Sequence, residues 1–255
     1  MKILGIESAA LTASAAILAD DIILAEYTVN HKKTHSQTLL PMIDEIVRMT
    51  ELSLEELDAI AISGGPGSFT GLRIGSATAK GLGQALNKPL IHVPTLDAMA
   101  YRLYGSCGLV CPIMDAKRSQ VYTGIYRFEK EEEGFSLVIL QEGRAMAMDE
   151  LLDRLDALLE ERRAAGLPAI VTFLGDGIPV FAELIRRRLG ASAVLAPALC
   201  SRQSASAVAS LGACYFAQER VQSAAEHVPE YLRKSQAERE REARLGADAA
   251  KGTVE

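Results

Sequence analysis

Apolar positions along the chain change their period several times, and each change marks an element. "KILGIES" and "TASAAILADDIILAEYTV" read as two or three β-rich runs with a hairpin at Asp20-Asp21, an antiparallel opening. The period then lengthens. In "HSQTLLPMIDEIVRMTEL", Leu39, Leu40, Ile43, Ile46 and Val47 recur at helical spacing, Ser36 is placed to cap the start, and Pro41 is tolerable in the first turns. Ser53-Leu54-Glu55-Glu56 forms a capping box for a short helix that leads into the apolar strand "AIAIS" at 59–63. The glycine-rich stretch "GGPGSFTGLRIG", residues 64–75, joins that strand to a helix running to about Leu86. A strand "PLIHVP" and a helix capped by Thr95 follow.

From about Gly105 the pattern restarts. "LVCPIMDAKRSQVYTGIYRFEKEEEGFSLVIL" reads as three strands with a turn at Glu131-Glu132-Glu133-Gly134. Asp149 is placed to cap an amphipathic helix stopped by Gly166, "AIVTFLGDG" is a buried strand, and helices are expected at about 178–189 and 203–219. The order predicts two α/β modules in tandem with mixed sheets, 1–104 and 105–233, the last helix of the second free to pack back on the first. Residues 234–255 are mixed in charge with almost no large apolar residue, and a tail without fixed structure is expected there.

Composition narrows the function classes. The 255 residues are 49% hydrophobic, enough for a sizeable core, but the longest apolar runs fall well short of the roughly 18 residues of a membrane span. With no apolar leader segment behind the first residues, a cytoplasmic protein without membrane contact is expected. Cys107, Cys111, Cys200 and Cys214 show no paired CxxC spacing and read as reduced thiols. The net charge is −6, and only short pieces such as Lys32-Lys33 and Arg186-Arg187-Arg188 are basic. A phosphate-gripping surface needs more, so the arginines read as a solvated helix face and any nucleic acid is expected to be held mostly by a partner.

The glycine-rich turn fails both common nucleotide patterns. No lysine follows at GxxxxGK[ST] spacing, and position 70 is threonine where GxGxxG needs glycine. What remains is a turn whose free N–H groups at a helix N-terminus could hold an anion. Further along, Gly71, Gly75, Ala79 and Gly83 fall at i, i+4, i+8 and i+12, one row of very small residues. Each interior glycine costs about 1 kcal/mol relative to alanine. Close approach of another backbone offsets that cost, supplied either by the chain's own elements or by a second chain.

Taken together, "ILGIES", "HSQTLLP", "GGPGSFTGLRIG", "PIMDAKRSQVYTGIY", "LGDG" and the late "YLR" resemble the TsaB family of bacterial tRNA threonylcarbamoyladenosine biosynthesis proteins, over residues 2–233. The resemblance implies a fold of two tandem actin/Hsp70/sugar-kinase-like modules, the second degenerate. It also implies a non-catalytic scaffold subunit that binds and activates the catalytic relative TsaD, with the ATPase TsaE joining the pair. Their complex modifies the adenosine 3′ of the tRNA anticodon. The isolated chain is expected to carry no cofactor, ATP or ADP belonging to the complex, to dimerise with itself when TsaD is absent, and to meet tRNA only through the complex. Docking is assigned to the helix of residues 36–50 and to the glycine-row helix, with His35, Leu39, Ile43, Ile46, Gly71, Arg73, Gly75, Ala79 and Gly83 as candidate contacts. On that assignment Gly75→Leu weakens TsaD binding by about 2 kcal/mol or more and leaves the monomer folded.

Glu7-Ser8-Ala9 stands where the first phosphate loop of this fold reads D-x-G-[TS], so Glu7, Ser8, Gly65, Gly67, Ser68 and Asp115 form a candidate vestigial nucleotide or anion site. Thr95 and Met99 stand where TsaD carries a metal-binding H-x-x-x-H, and His92 is left alone on a strand. The competing function is an autonomous enzyme, either an ATP-dependent one of the same fold or a metallopeptidase built on His31 and His35. The second option lacks an HExxH glutamate and a third ligand, and Lys32-Lys33 would repel a cation.

Overall fold

In the computed structural model, which describes residues 1–31 and 34–233, the opening runs fold as β1 (Lys2–Glu7), β2 (Ala13–Ala19) and β3 (Ile22–Val29). They form an antiparallel meander whose tight hairpin places Asp20 in the left-handed region. Next come α1 (His35–Thr50), β4 (Ala59–Gly65), α2 (Phe69–Leu86), β5 (Leu90–Pro94) and α3 (Thr95–Tyr101). The sheet order is β3-β2-β1-β4-β5, with β4 parallel to both β1 and β5.

The second half repeats the plan: β6 (Leu109–Asp115), β7 (Gln120–Lys130), β8 (Phe135–Ala147), α4 (Met148–Ala164), β9 (Val171–Leu174), α5 (Ile178–Leu189), β10 (Ala193–Leu195) and α6 (Ala205–Ala217). Its sheet order, β10-β9-β6-β7-β8, is the first order with each strand replaced by its counterpart, and every pairing keeps its direction. Two mixed five-stranded sheets of one topology therefore stand in tandem, the arrangement of the actin/Hsp70/sugar-kinase fold.

Local starts differ from the sequence reading. Helix α1 begins at His35 behind Thr34, not at Ser36, and α4 begins at Met148, which puts Asp149 in the first turn, where its charge suits the helix dipole. Thr95 is the first residue of α3, behind Pro94, rather than its cap. Strand β10 has only three residues, too few for alternation to announce it. The expected tail at 234–255 and Lys32-Lys33 lie outside the described residues.

Alternation along the first sheet divides its side chains between two layers. Leu4, Ile6, Ile17, Ile60 and Ile62 pack with Leu39, Ile43 and Ile46 of α1 and Ala79 of α2. Ile3, Ala59, Ala61, Ile91 and Val93 face the other way, onto Val208, Ala209 and Leu211 of α6. Helix α6 therefore leaves its own sheet and lies on the first. Its N-terminus is held there by Glu26 of β3, which accepts from the Ser206 N–H (3.2 Å) and the hydroxyls of Ser204 (2.7 Å) and Ser206 (3.0 Å). Between the sheets, Asp97 of α3 accepts from Tyr126 of β7 (2.8 Å) and Tyr215 of α6 (3.3 Å), a buried polar pin joining the halves. Burial raises the Asp97 pKa.

Beyond α6, residues 218–233 run back along the first module as a strap. Gln222 bridges to Leu90, the Glu230 N–H donates to the Gly64 carbonyl (2.7 Å), and Arg233 donates to the Ala116 carbonyl (2.9 Å) of the second module.

Candidate functional site

The glycine-rich turn delivers α2 against the turn that follows β1, and these two segments form one wall of a cleft of about 580 Å³ between the modules. Ser68 caps α2, its hydroxyl accepting from the Gly71 N–H at 3.3 Å. Its own N–H donates to the Ala9 carbonyl at 2.6 Å. That amide is therefore engaged within the chain. Across the cleft the second module presents Asp115 at the end of β6, with Lys117 and Asp176. Burial favours the neutral form of Asp115, but its hydrogen bonds with Lys117, including the 2.6 Å ion pair, outweigh this and hold its pKa below the ordinary value. Asp176 is raised by burial, and its carboxylate accepts from the Asp115 N–H at 3.2 Å.

Of the six candidate anion-site residues, Gly67, Ser68 and Asp115 line this cleft, and the other three serve the fold. Glu7 is buried, its carboxylate accepting from the Ala9 N–H at 2.6 Å, and burial pushes its pKa up to about 7. The buried Ser8 hydroxyl donates to the Gly71 carbonyl at 3.0 Å. Gly65, at φ 124, lies beneath the strap, where a Cβ would overlap the Glu230 carbonyl. Glu7, Ser8 and Gly65 are therefore corrected to packing roles.

The partner-binding set needs a larger correction. Leu39, Ile43 and Ile46 are 1–2% exposed and face the sheet. The glycine row also faces inward. A Cβ on Gly71 would overlap the Ser8 carbonyl, one on Gly75 would overlap the Ser8 hydroxyl, and one on Gly83 would lie 2.9 Å from Leu90 Cδ2, while Ala79 is fully buried. The backbone approach that offsets the glycines is intramolecular: α2 lies directly on the turn after β1. His35 is buried as well, its Nε2 donating to the Ala10 carbonyl at 2.7 Å. Only Arg73 of the nine is exposed.

What α1 and α2 turn outward is a different set. Arg73, Ala77, Gly81 and Ala85 form a second row on α2, again at i, i+4, i+8 and i+12, all exposed, and a Cβ on Gly81 would meet nothing within 4 Å. Beside it α1 exposes Leu40 (53%), Pro41 and Met49 (67%). This outer row was equally present in the sequence. It holds one glycine against three in the inner row, so its helix cost is smaller and it stands out less.

A family profile described as "TsaD: tRNA N6-adenosine threonylcarbamoyltransferase" matches residues 22–241. The tRNA threonylcarbamoyladenosine biosynthesis protein TsaB of Bacillus subtilis is 32% identical over 240 residues, 93% of this chain and 96% of that protein. The chain belongs to the TsaB family. Escherichia coli TsaB is 35% identical over 136 residues, 52% of this chain and 58% of that protein. A solved Pseudomonas aeruginosa structure, described as an uncharacterized protein with similarity to peptidase YEAZ, superposes with a TM-score of 0.72 at 24% identity, covering 91% of this chain and 99% of that one. That likeness shows the fold.

In this TsaB-family chain, Thr95 and Met99 are both buried. The Thr95 hydroxyl accepts from the Gly65 N–H at 3.2 Å, and Met99 packs with Leu96, Val110 and Leu174. His92 lies against Gly64, 5.7 Å from the ring of the buried His227, whose pKa falls to about 4 through burial. His31 is exposed while His35 is buried on its carbonyl, and among the described residues no three His, Cys, Asp or Glu side chains gather as a metal site. The four cysteines are free thiols, only Cys111 being buried. Among the described residues no helix is long and apolar enough to cross a membrane. Arg188 is ion-paired with Asp153 of α4 at 2.5 Å, and Arg186 and Arg187 are exposed.

Proposed function

We propose that this chain is a non-catalytic subunit in tRNA N6-threonylcarbamoyladenosine biosynthesis, and that it docks TsaD through the outward faces of α1 and α2, with TsaE joining the pair. The observation that carries the reading is the exposed row Ala77, Gly81 and Ala85 beside Leu40 and Pro41. Small residues on one helix let another helix approach closely, and apolar neighbours supply the buried area. Without TsaD the same face suits a symmetric dimer, since a two-fold interface needs only one self-complementary patch.

A catalytic role finds little support in the cleft. The Ser68 N–H at the start of α2 is engaged by the Ala9 carbonyl, and the residues at the positions of the TsaD histidines are a buried threonine and methionine. ATP or ADP is assigned to the assembled complex, and tRNA is reached through it. The test is co-purification with TsaD followed by a modification assay with and without this chain. A stable complex and a rate that depends on the chain are expected. Modification by TsaD and TsaE at full rate in its absence would overturn the role.

A further inference from the structure

The motif "GGPGSFTGLRIG" contains two side chains that neither the turn nor the inner row of α2 uses. Phe69 and Arg73 stand one helical turn apart, so they are neighbours on its surface. The Arg73 guanidinium lies 3.9 Å from the centroid of the Phe69 ring. Tyr231 stacks on the same ring, with centroids 4.7 Å apart, and its hydroxyl accepts from Arg73 Nε at 3.4 Å. Tyr231 is brought there by the strap, which Glu230 ties to Gly64 and Lys80 ties through the carbonyls of Ala225 (3.2 Å) and His227 (3.0 Å). Ring and hydroxyl fix the guanidinium plane from two sides. Among the described residues its two terminal nitrogens meet no acceptor.

We propose that Arg73 is a preorganised anchor for one carboxylate side chain of the protein that docks on the outer face of α2. The inference rests on the docking reading above. A guanidinium offers parallel N–H groups that match a carboxylate in a bidentate pair, and a side chain already held in place loses less freedom on binding. Arg73 also heads the exposed row Ala77, Gly81 and Ala85, so the anchor is continuous with the docking face. A phosphate-bearing partner ordinarily meets several cations. Here Lys80 is taken up by strap carbonyls and the chain carries a net charge of −6, which favours a single acidic side chain.

The experiment titrates TsaD of the same cell into the full chain and into Arg73→Gln, Arg73→Lys, Tyr231→Phe and Leu40→Arg, each at low and at moderate salt, with unfolding midpoints measured alongside. Arg73→Gln is expected to weaken binding at least tenfold and to flatten its salt dependence without moving the midpoint. Arg73→Lys recovers part of the affinity, and Tyr231→Phe costs a few-fold by freeing the guanidinium. If Leu40→Arg abolishes binding while Arg73→Gln leaves affinity and salt dependence unchanged, the carboxylate pairing is wrong and the docking face stands. If neither variant changes affinity, the docking face itself is wrong and the pairing falls with it. Affinity lost with an unaltered salt dependence, or only together with a lowered midpoint, also overturns the pairing.

Discussion

A side chain at Gly75 would overlap the Ser8 hydroxyl and lie 3.1 Å from Ile62 Cδ1, so the inner row of α2 exists to seat that helix on the turn after β1. Gly81, six residues on, faces open solvent. The same residue type in one helix thus answers to opposite constraints, and the expectation that Gly75→Leu would leave a folded monomer is withdrawn.

Gly75→Ala is expected to destabilise the chain by about 1–3 kcal/mol through overpacking, a cost that outweighs the gain in helix propensity. Gly81→Ala has no such clash and is expected to stabilise by about 0.5–1 kcal/mol. Urea unfolding of both variants checks the pair. Equal shifts in one direction would show that the two rows do not differ.

Glu7 gives the stability a pH signature. Its folded pKa of about 7 lies above the ordinary 4.5, so an unfolded chain releases this proton first. Its contribution is fully present below the ordinary value and is lost as pH rises through 7, a change of roughly 3 kcal/mol at the limit. Glu7→Gln should therefore flatten the fall in stability between pH 5 and pH 8, read from urea midpoints. An unaltered slope would mean that Glu7 is ionised in the folded chain at the lower pH.

The hold of Glu26 on the N-terminus of α6 adds a polar contact to the apolar packing that keeps the last helix on the first sheet. Burial opposes its charge, but the Ser204, Ser206 and Ser14 hydrogen bonds prevail and lower its pKa. Glu26→Ala is expected to cost about 1–3 kcal/mol by leaving the cap unsatisfied. The gap to the parent chain should be full at neutral pH and narrow as acid protonates the carboxylate of the parent. A gap that widens in acid would contradict this assignment.

Much of the fold was legible because its periods are regular. The β-rich opening, the helical spacing of Leu39, Ile43 and Ile46, and the restart after Gly105 place nearly every element. Strand β10 escaped notice because three residues show no alternation, and its place comes from parallel pairing with β9. Side-chain direction was harder to read. The spacing of Gly71, Gly75, Ala79 and Gly83 marks a close-approach row, but spacing alone does not say whether the approaching backbone belongs to this chain. Ser8 settles that question, and it lies more than sixty residues away in sequence. The Asp97, Tyr126 and Tyr215 pin and the stack of Phe69, Arg73 and Tyr231 join residues from distant elements, so no local pattern announces them.

The most direct test of the docking face is calorimetric titration of TsaD into the parent chain and into Gly81→Leu. This substitution adds bulk to the exposed row without touching the chain's own core. Its unfolding midpoint should match or exceed that of the parent, and its affinity should fall by 2 kcal/mol or more, about thirtyfold, as expected for a blocked hot spot. Parent-like affinity from folded Gly81→Leu would place TsaD on another surface.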